Sequence, residues 1–404
     1  MCSSSALATA CGIGGGTIYC AFLLGIQHFQ PSTGFPISNF LILTCGCASY
    51  ITAAKDKYIH PNNSFVDYDL AVIFSPSMLL GTKFGTIFNK TFSSLLLTIF
   101  LIILMCYSMN STYKNMVKAQ NREKKMDEDR RKEMFLNNND DVPQETVMQI
   151  IDTASSNDFS NDRSALIQKI KDEDNNPVPM DKIKFMLMLE VVVIIDQIIE
   201  GNSKVPSLIG ITKCSSIYWL VFIIYCCVSL FFIKMAFDNI KARYAYKKSI
   251  DPNTNDDKLK YLEENTVRIV LLTVFAGIVS SMVGIGGGMI TNPILLGMGL
   301  DPKATSSTST FLIMTTALAS SFIYLISGQL NISYAICMGI PCTLSAYYGS
   351  KEILKYINRT HKNSILLSIM LWFLIISMAV ILVKTYFELN ESGDLNIFKL
   401  KPYC

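Results

Sequence analysis

Two short glycine runs carry the strongest chemical signal in this sequence: Gly12-Ile13-Gly14-Gly15-Gly16 and Gly284-Ile285-Gly286-Gly287-Gly288. Each sits in a long stretch with no charged residue. Consecutive glycines unwind a helix, and inside a bilayer the freed backbone groups must find partners. A helix broken there turns the positive end of its dipole into the protein. Successive N–H groups in such a turn form a nest that suits an anion. Neither run is a dinucleotide fingerprint, since the sixth positions are Thr17 and Met289, and no Gly-Lys-Ser/Thr follows to make a phosphate loop. Close helix packing through small residues is the competing explanation. It suffices for Gly81-x-x-x-Gly85 and Ser345-x-x-x-Gly349, but three glycines in a row exceed what packing needs. Gly12, Gly14, Gly15, Gly16, Gly284, Gly286, Gly287 and Gly288 are therefore candidate anion-binding residues, with Asn292 beside the second set.

Hydroxyls follow both runs. Thr305-Ser306-Ser307-Thr308-Ser309-Thr310 opens a predicted helix. Capping and back-bonding to carbonyls account for one or two of these side chains, not six. Ser307, Ser309 and Thr310 are candidate donors to a tetrahedral or pyramidal oxyanion. The first copy offers Ser38 and Asn39, so the two half-sites are unequal. Charge inside a predicted membrane helix is a functional suspect, and Lys83, Glu190 and Asp196 stand out. Lys83 is a candidate counter-ion for the anion, with snorkelling from near a helix end as its alternative. Glu190 and Asp196 are candidate proton carriers, against the plainer reading that their helix keeps one face exposed. No cofactor motif is present, and the 12 cysteines show no metal spacing.

These residues need elements to position them. Half the chain is hydrophobic and only 17% is charged, against roughly a quarter in soluble domains. No Asp, Glu, Lys or Arg occurs in Met1–Ala54, Thr91–Tyr113, Ile217–Ile233, Ile269–Leu300, Ala304–Ser350 or Asn363–Val383. Several of these reach the roughly 20 residues that span a bilayer as helix, and the runs are continuous, not alternating. The class is an all-α polytopic membrane protein, with the lipid bilayer as a partner. A net charge of +3 gives no reason to expect nucleic acid. About ten helices are expected, near Ser5–Leu24, Ile37–Ala54, Asp69–Phe88, Thr91–Asn110, Lys184–Ile199, Ser216–Phe237, Thr266–Met282, Thr305–Ser327, Ile332–Lys355 and Ser364–Tyr386.

The glycine runs also align their surroundings. Ser38 matches Ser309, Phe40-Leu41-Ile42 matches Phe311-Leu312-Ile313, and Pro76 matches Pro341. The expected organisation is a first repeat over 1–110, a charged, partly disordered cytoplasmic loop over 111–181, a two-helix insert with a polar linker over 182–265, and a second repeat with its tail over 266–404. Basic clusters at Lys114–Lys125 and Lys241–Lys248 fit the cytoplasmic side. If each glycine run crosses the membrane once, the repeats are parallel. If either is re-entrant, count and symmetry change. The basic Lys351–Lys362 segment argues against the simpler count. Eleven residues before the first glycine run reach only about 16 Å as helix, so helix 1 is a half-helix or the chain begins late.

Together these motifs resemble the sulfite exporter TauE/SafE family, in its plant and protist branch. The residues that carry the resemblance are Gly12–Gly16 with Pro31 and Ser38-Asn39-Phe40, Gly284–Gly288 with Pro293, Pro302 and Thr305–Phe311, and Val66-Asp67-Tyr68-Asp69-Leu70-Ala71 leading into Pro76 and Gly81-x-x-x-Gly85. Lys83, where an apolar residue is usual, and Asn39, where a Lys is frequent, depart from it. The resemblance implies a secondary transporter of a small sulfur-containing anion, sulfite or an organosulfonate. The rivals are a membrane scaffold or receptor that docks partners on 111–181, and a membrane enzyme, which no acid/base or metal pattern favours.

Overall fold

In a computed structural model the described residues are 14–59, 66–137, 179–201, 207, 210–211, 215–250, 262, 264–300, 302–360 and 363–392. They are helical, with no strand among them. Helix α1 (Gly16–Cys20) runs on into a π-helical turn, Ala21–Ile26. Then come α2 (Pro31–Ile59), α3 (Tyr68–Thr91), α4 (Ser94–Asn137), α5 (Met180–Glu200) and α6 (Ser216–Ile250). The second half holds α7 (Thr266–Val283), α8 (Gly288–Gly297), α9 (Pro302–Ile326), α10 (Ile332–Thr360) and α11 (Asn363–Ser392).

Seven of the described helices are long and apolar enough to cross a membrane: α2, α3, α4, α6, α7, α9 and α11. The chain is a multi-pass integral membrane protein. Of the remaining expected spans, α5 carries too many charges, α10 is too polar in composition, and the first begins outside the described residues. Lipid-facing surfaces show as exposed apolar side chains, such as Leu220, Ile223, Ile224 and Phe231 on α6 and Trp372, Ile376 and Val383 on α11. In a soluble helix such residues would be buried. The domain boundary expected at residue 110 falls inside α4, which continues as one helix to Asn137. The Lys-, Glu- and Arg-rich sequence there favours helix.

Polar contacts fix the direction of each helix. Asp69 at the start of α3 meets Lys182 at the start of α5, and Lys83 meets Asp196 near the end of α5, so α3 and α5 run the same way. Arg243, late in α6, also reaches Asp69, so α6 runs opposite to α3. The Asp67 backbone N–H donates to Thr308 Oγ1 (2.8 Å) and Lys90 donates to Ser327 Oγ (2.7 Å), so α9 is parallel to α3. Ser364 at the start of α11 donates through its backbone N–H to Glu123, far along α4, so these two are antiparallel. The sequence repeat pairs α2 with α9, α3 with α10 and α4 with α11. In each pair the two helices point opposite ways across the membrane.

The glycine segment of the second half explains this reversal. Helix α7 rises alongside α3, parallel to it, with Gly277 beside Met78 and Asn89 bonded to the Met282 carbonyl. Five residues later Gly287 is back beside Ala276 and Met78. The chain has doubled back, and α8 returns to the end from which α7 entered. Of the two arrangements the sequence leaves open, the structure takes the second: the α7–α8 segment is re-entrant, and the matching helices are inverted relative to one another. Lys114–Lys125, Lys241–Lys248 and Lys351–Lys355 then share one end of the bundle, which the positive-inside rule assigns to the cytoplasm. In a cysteine-depleted background, Lys248→Cys and Lys355→Cys should label with an impermeant maleimide from the cytoplasmic face, and Asn331→Cys from the other. Labelling of Lys355→Cys and Asn331→Cys from one face would refute the inversion.

Close backbone approach binds α3 to α7. A Cβ on Gly81 would meet the Val274 carbonyl, one on Gly85 the Ile278 carbonyl, and one on Gly277 the Met78 carbonyl. The Gly81-x-x-x-Gly85 pair is thus a packing seam, as expected from its spacing.

Candidate functional site

The two glycine turns lie against each other in the interior. Gly14 (φ 81°) and Gly286 (φ 81°) occupy matching positions of the two runs and adopt the same left-handed conformation. Gly15 (φ 70°) and Gly284 (φ 65°) are left-handed too. Residues with a Cβ rarely enter this region. Gly16 meets a different constraint: a Cβ there would run into the Ile285 and Gly284 carbonyls of the other turn. Gly12 lies outside the described residues.

From this contact the two short helices lead away in opposite senses. Ile18 and Tyr19 N–H bond to the Gly15 carbonyl, and Ile290 and Thr291 N–H bond to the Gly287 carbonyl. The preceding N–H groups, of Gly16 and Thr17 in α1 and of Gly288 and Met289 in α8, have no acceptor within their own helices. Thr17 is fully buried, and its hydroxyl has no hydrogen-bond partner. Two helix N-termini thus meet in the interior of the bundle.

The last carbonyls of α7 are freed by the same break, and side chains from four other helices satisfy them. Asn39 Nδ2 (3.4 Å) and Tyr324 Oη (2.8 Å) donate to Ser281 O. Asn89 Nδ2 donates to Met282 O (2.7 Å). The Cys20 thiol lies 3.4 Å from Val283 O, and Ser38 Oγ donates to Gly284 O (2.6 Å). Ser281 Oγ in turn donates to Thr82 O on α3 (3.0 Å). Ser38 and Asn39 therefore stand at the junction, but their donors are engaged with backbone. The Asn39 amide oxygen, fully buried, is without a partner.

The second hydroxyl block divides by role. Ser309 pairs with Thr291 of α8 (2.9 Å), which ties α9 to the second turn. Thr310 donates back to the Ser306 carbonyl, and Thr308 accepts from the Asp67 backbone N–H at the end where α3 begins. Ser307 is only partly buried. Asn292 lies on α8. Ser309 thus joins the turn directly, whereas back-bonding and capping account for Thr310 and Thr308.

The charged candidates form a separate group on the far side of α3. Lys83 is 2% exposed and donates to Asp196 and to Glu200 Oε2 (2.7 Å), with its Nζ 5.4 Å from the Tyr225 ring centre. Two readings are corrected here. Lys83 neither snorkels nor stands free for an anion, because two carboxylates occupy it. Glu190 and Asp196 do not lie on an exposed face, since both are buried. Glu200 was missed in the sequence, although it follows Asp196 by one helical turn and shares its face. Asn89, Cys20, Thr17, Thr291 and Tyr324 were missed as well. None has a spacing signal, since each acts across distant helices.

The protein-family model described as Sulfite exporter TauE/SafE matches residues 207–380. Sulfite exporter TauE/SafE family protein 5 of Arabidopsis thaliana is 23% identical over 367 residues, 91% of this chain and 77% of that protein. Family proteins 1 and 2 of the same plant are each 22% identical over 97% of this chain, covering 83% and 82% of their own lengths. No solved structure matches the chain.

Proposed function

We propose that this chain, a relative of the sulfite exporter TauE/SafE family along nearly its whole length, is a secondary transporter of a small sulfur-containing anion of the sulfite or organosulfonate class. The observation that carries the reading is the pair of glycine turns, packed together in the interior of the helix bundle, each starting a helix that leads to the opposite end. Helix N-termini at membrane depth favour negative charge. The donors assigned to the anion are the N–H groups of Gly16, Thr17, Gly288 and Met289 and the free hydroxyl of Thr17. Ser309 supports the second turn through Thr291. Ser38 and Asn39 act indirectly, by holding the α7 break in shape.

Transport would proceed by rocking one inverted half against the other, which exposes the turns to each face alternately. No acid–base chemistry on the anion is needed. In proteoliposomes, radiolabelled sulfite should enter saturably, above the leak of protein-free vesicles, and thiosulfate and organosulfonates should compete. No flux of any such anion from folded protein would leave the scaffold reading, with the 111–181 segment as its docking element.

A further inference from the structure

One buried acid is not used by the site above. Helix α5 turns Glu190, Val193, Asp196, Gln197 and Glu200 to the protein interior. Lys83 answers Asp196 and Glu200. Glu190 is 4% exposed, and neither of its carboxyl oxygens has a hydrogen-bond partner. The register set by Lys182 beside Asp69 and by Asp196 beside Lys83 places Glu190 level with Ser77, midway along α3. The Ser77 hydroxyl is also buried and without a partner.

A carboxylate at that depth with no counter-charge costs several kcal/mol. It must be met by a proton or by a cation. Among the described residues, the neighbouring helices supply no cation to it. On α6 the titratable group facing it is Tyr225, whose hydroxyl donates to Leu79 O (3.3 Å) and which lies within electrostatic reach of Glu190. On α3, Lys83 is held by its two acids, and Asp69 by Lys182 and Arg243. On α9 the one titratable residue from Ala304 to Ile326 is Tyr324, bonded to Ser281 O.

Helix α3 connects this carboxyl to the glycine turns. One face of α3 holds α7, through Gly81, Gly85, Thr82 and Asn89. Another holds α5 through Lys83. A shift of α5 on gaining or losing a proton would be transmitted to the α7 break. We propose that Glu190 is the residue on which a proton boards from water at one face and from which it leaves at the other, coupling anion movement to the proton gradient. This rests on the transport reading above.

The test compares wild type with Glu190→Gln in proteoliposomes, using radiolabelled sulfite and subtracting protein-free leak. Three assays are run: exchange at equal pH, net uptake with and without an imposed pH gradient, and net uptake with and without an imposed sodium gradient. The expected result is that wild-type uptake responds to the gradient, while Glu190→Gln keeps exchange and loses the response. A Glu190→Gln protein that responds as wild type does, a wild type that exchanges sulfite without responding, or one that responds to a sodium gradient instead, would each overturn the inference and leave transport standing. Absence of exchange in wild type would remove the transport reading itself. If Glu190→Gln loses exchange too, Glu190→Asp decides: it keeps a carboxyl and must keep the response, and exchange without response in that variant overturns the proposal.

Discussion

Gly16→Ala should reduce sulfite flux at least about tenfold, equivalent to some 1.4 kcal/mol in the rate-limiting step. The added methyl would overlap the Ile285 and Gly284 carbonyls. These are backbone atoms in a turn fixed by five side-chain caps, so they cannot rotate away as a flexible side chain would. Accommodation requires separating the two turns, and overpacking of this kind costs about 1–3 kcal/mol. The damage falls where the helix N-termini converge, so flux suffers more than assembly. Gly34→Ala is the control: its Cβ would make only ordinary contacts, the nearest at 3.6 Å to Phe29. The measurement is initial uptake by both variants, normalised to monodisperse protein in detergent. Equal flux in the two would dissociate the contact between the turns from transport.

Lys83→Met should be the most destabilising single substitution in the polar interior. Removing one partner of a buried ion cluster strands the others, at about 3–5 kcal/mol. Here two carboxylates would be left, and Asp196 and Glu200 are 7% and 3% exposed. The loss should appear as a lower thermal unfolding midpoint in detergent, with α5 first to detach from α3. Lys83→Met combined with Asp196→Asn and Glu200→Gln should recover most of it, because the interior then holds no net charge at that level. If the single variant unfolds as wild type does, Lys83 does not compensate the two acids.

Much of the architecture was legible in the sequence. The uncharged runs located the helices, and ends such as Ser216, Thr266 and Ile332 fall where the residue pattern puts them. The glycine runs were legible as breaks because a left-handed turn needs glycine at Gly14 and Gly286. Depth was not legible. Nothing in the composition of α7 or α8 distinguishes a segment that crosses from one that returns, and only the misplaced charge of Lys351–Lys362 hinted at the answer. The site was harder to read for a related reason. Ser38 and Asn39 look like ligand donors, but their role is decided by Gly284 and Ser281, more than 240 residues away. Lys83 finds its acids across 113 and 117 residues. A single sequence holds no record of such pairings.

The caps on the α7 break also impose an order on biogenesis. Ser38, Asn39 and Asn89 are synthesised long before the carbonyls of residues 281–284 that they serve. Until α7 arrives, the Asn89 amide lacks the acceptor it has in the finished fold, and Ser38 and Asn39 are left with the Gly16 and Phe35 carbonyls of their own half. A lone first half is therefore a poor end product in lipid, and a lone second half would carry open backbone at the tip of its re-entrant hairpin. Each half completes the other during insertion, so neither stands as a finished membrane protein by itself.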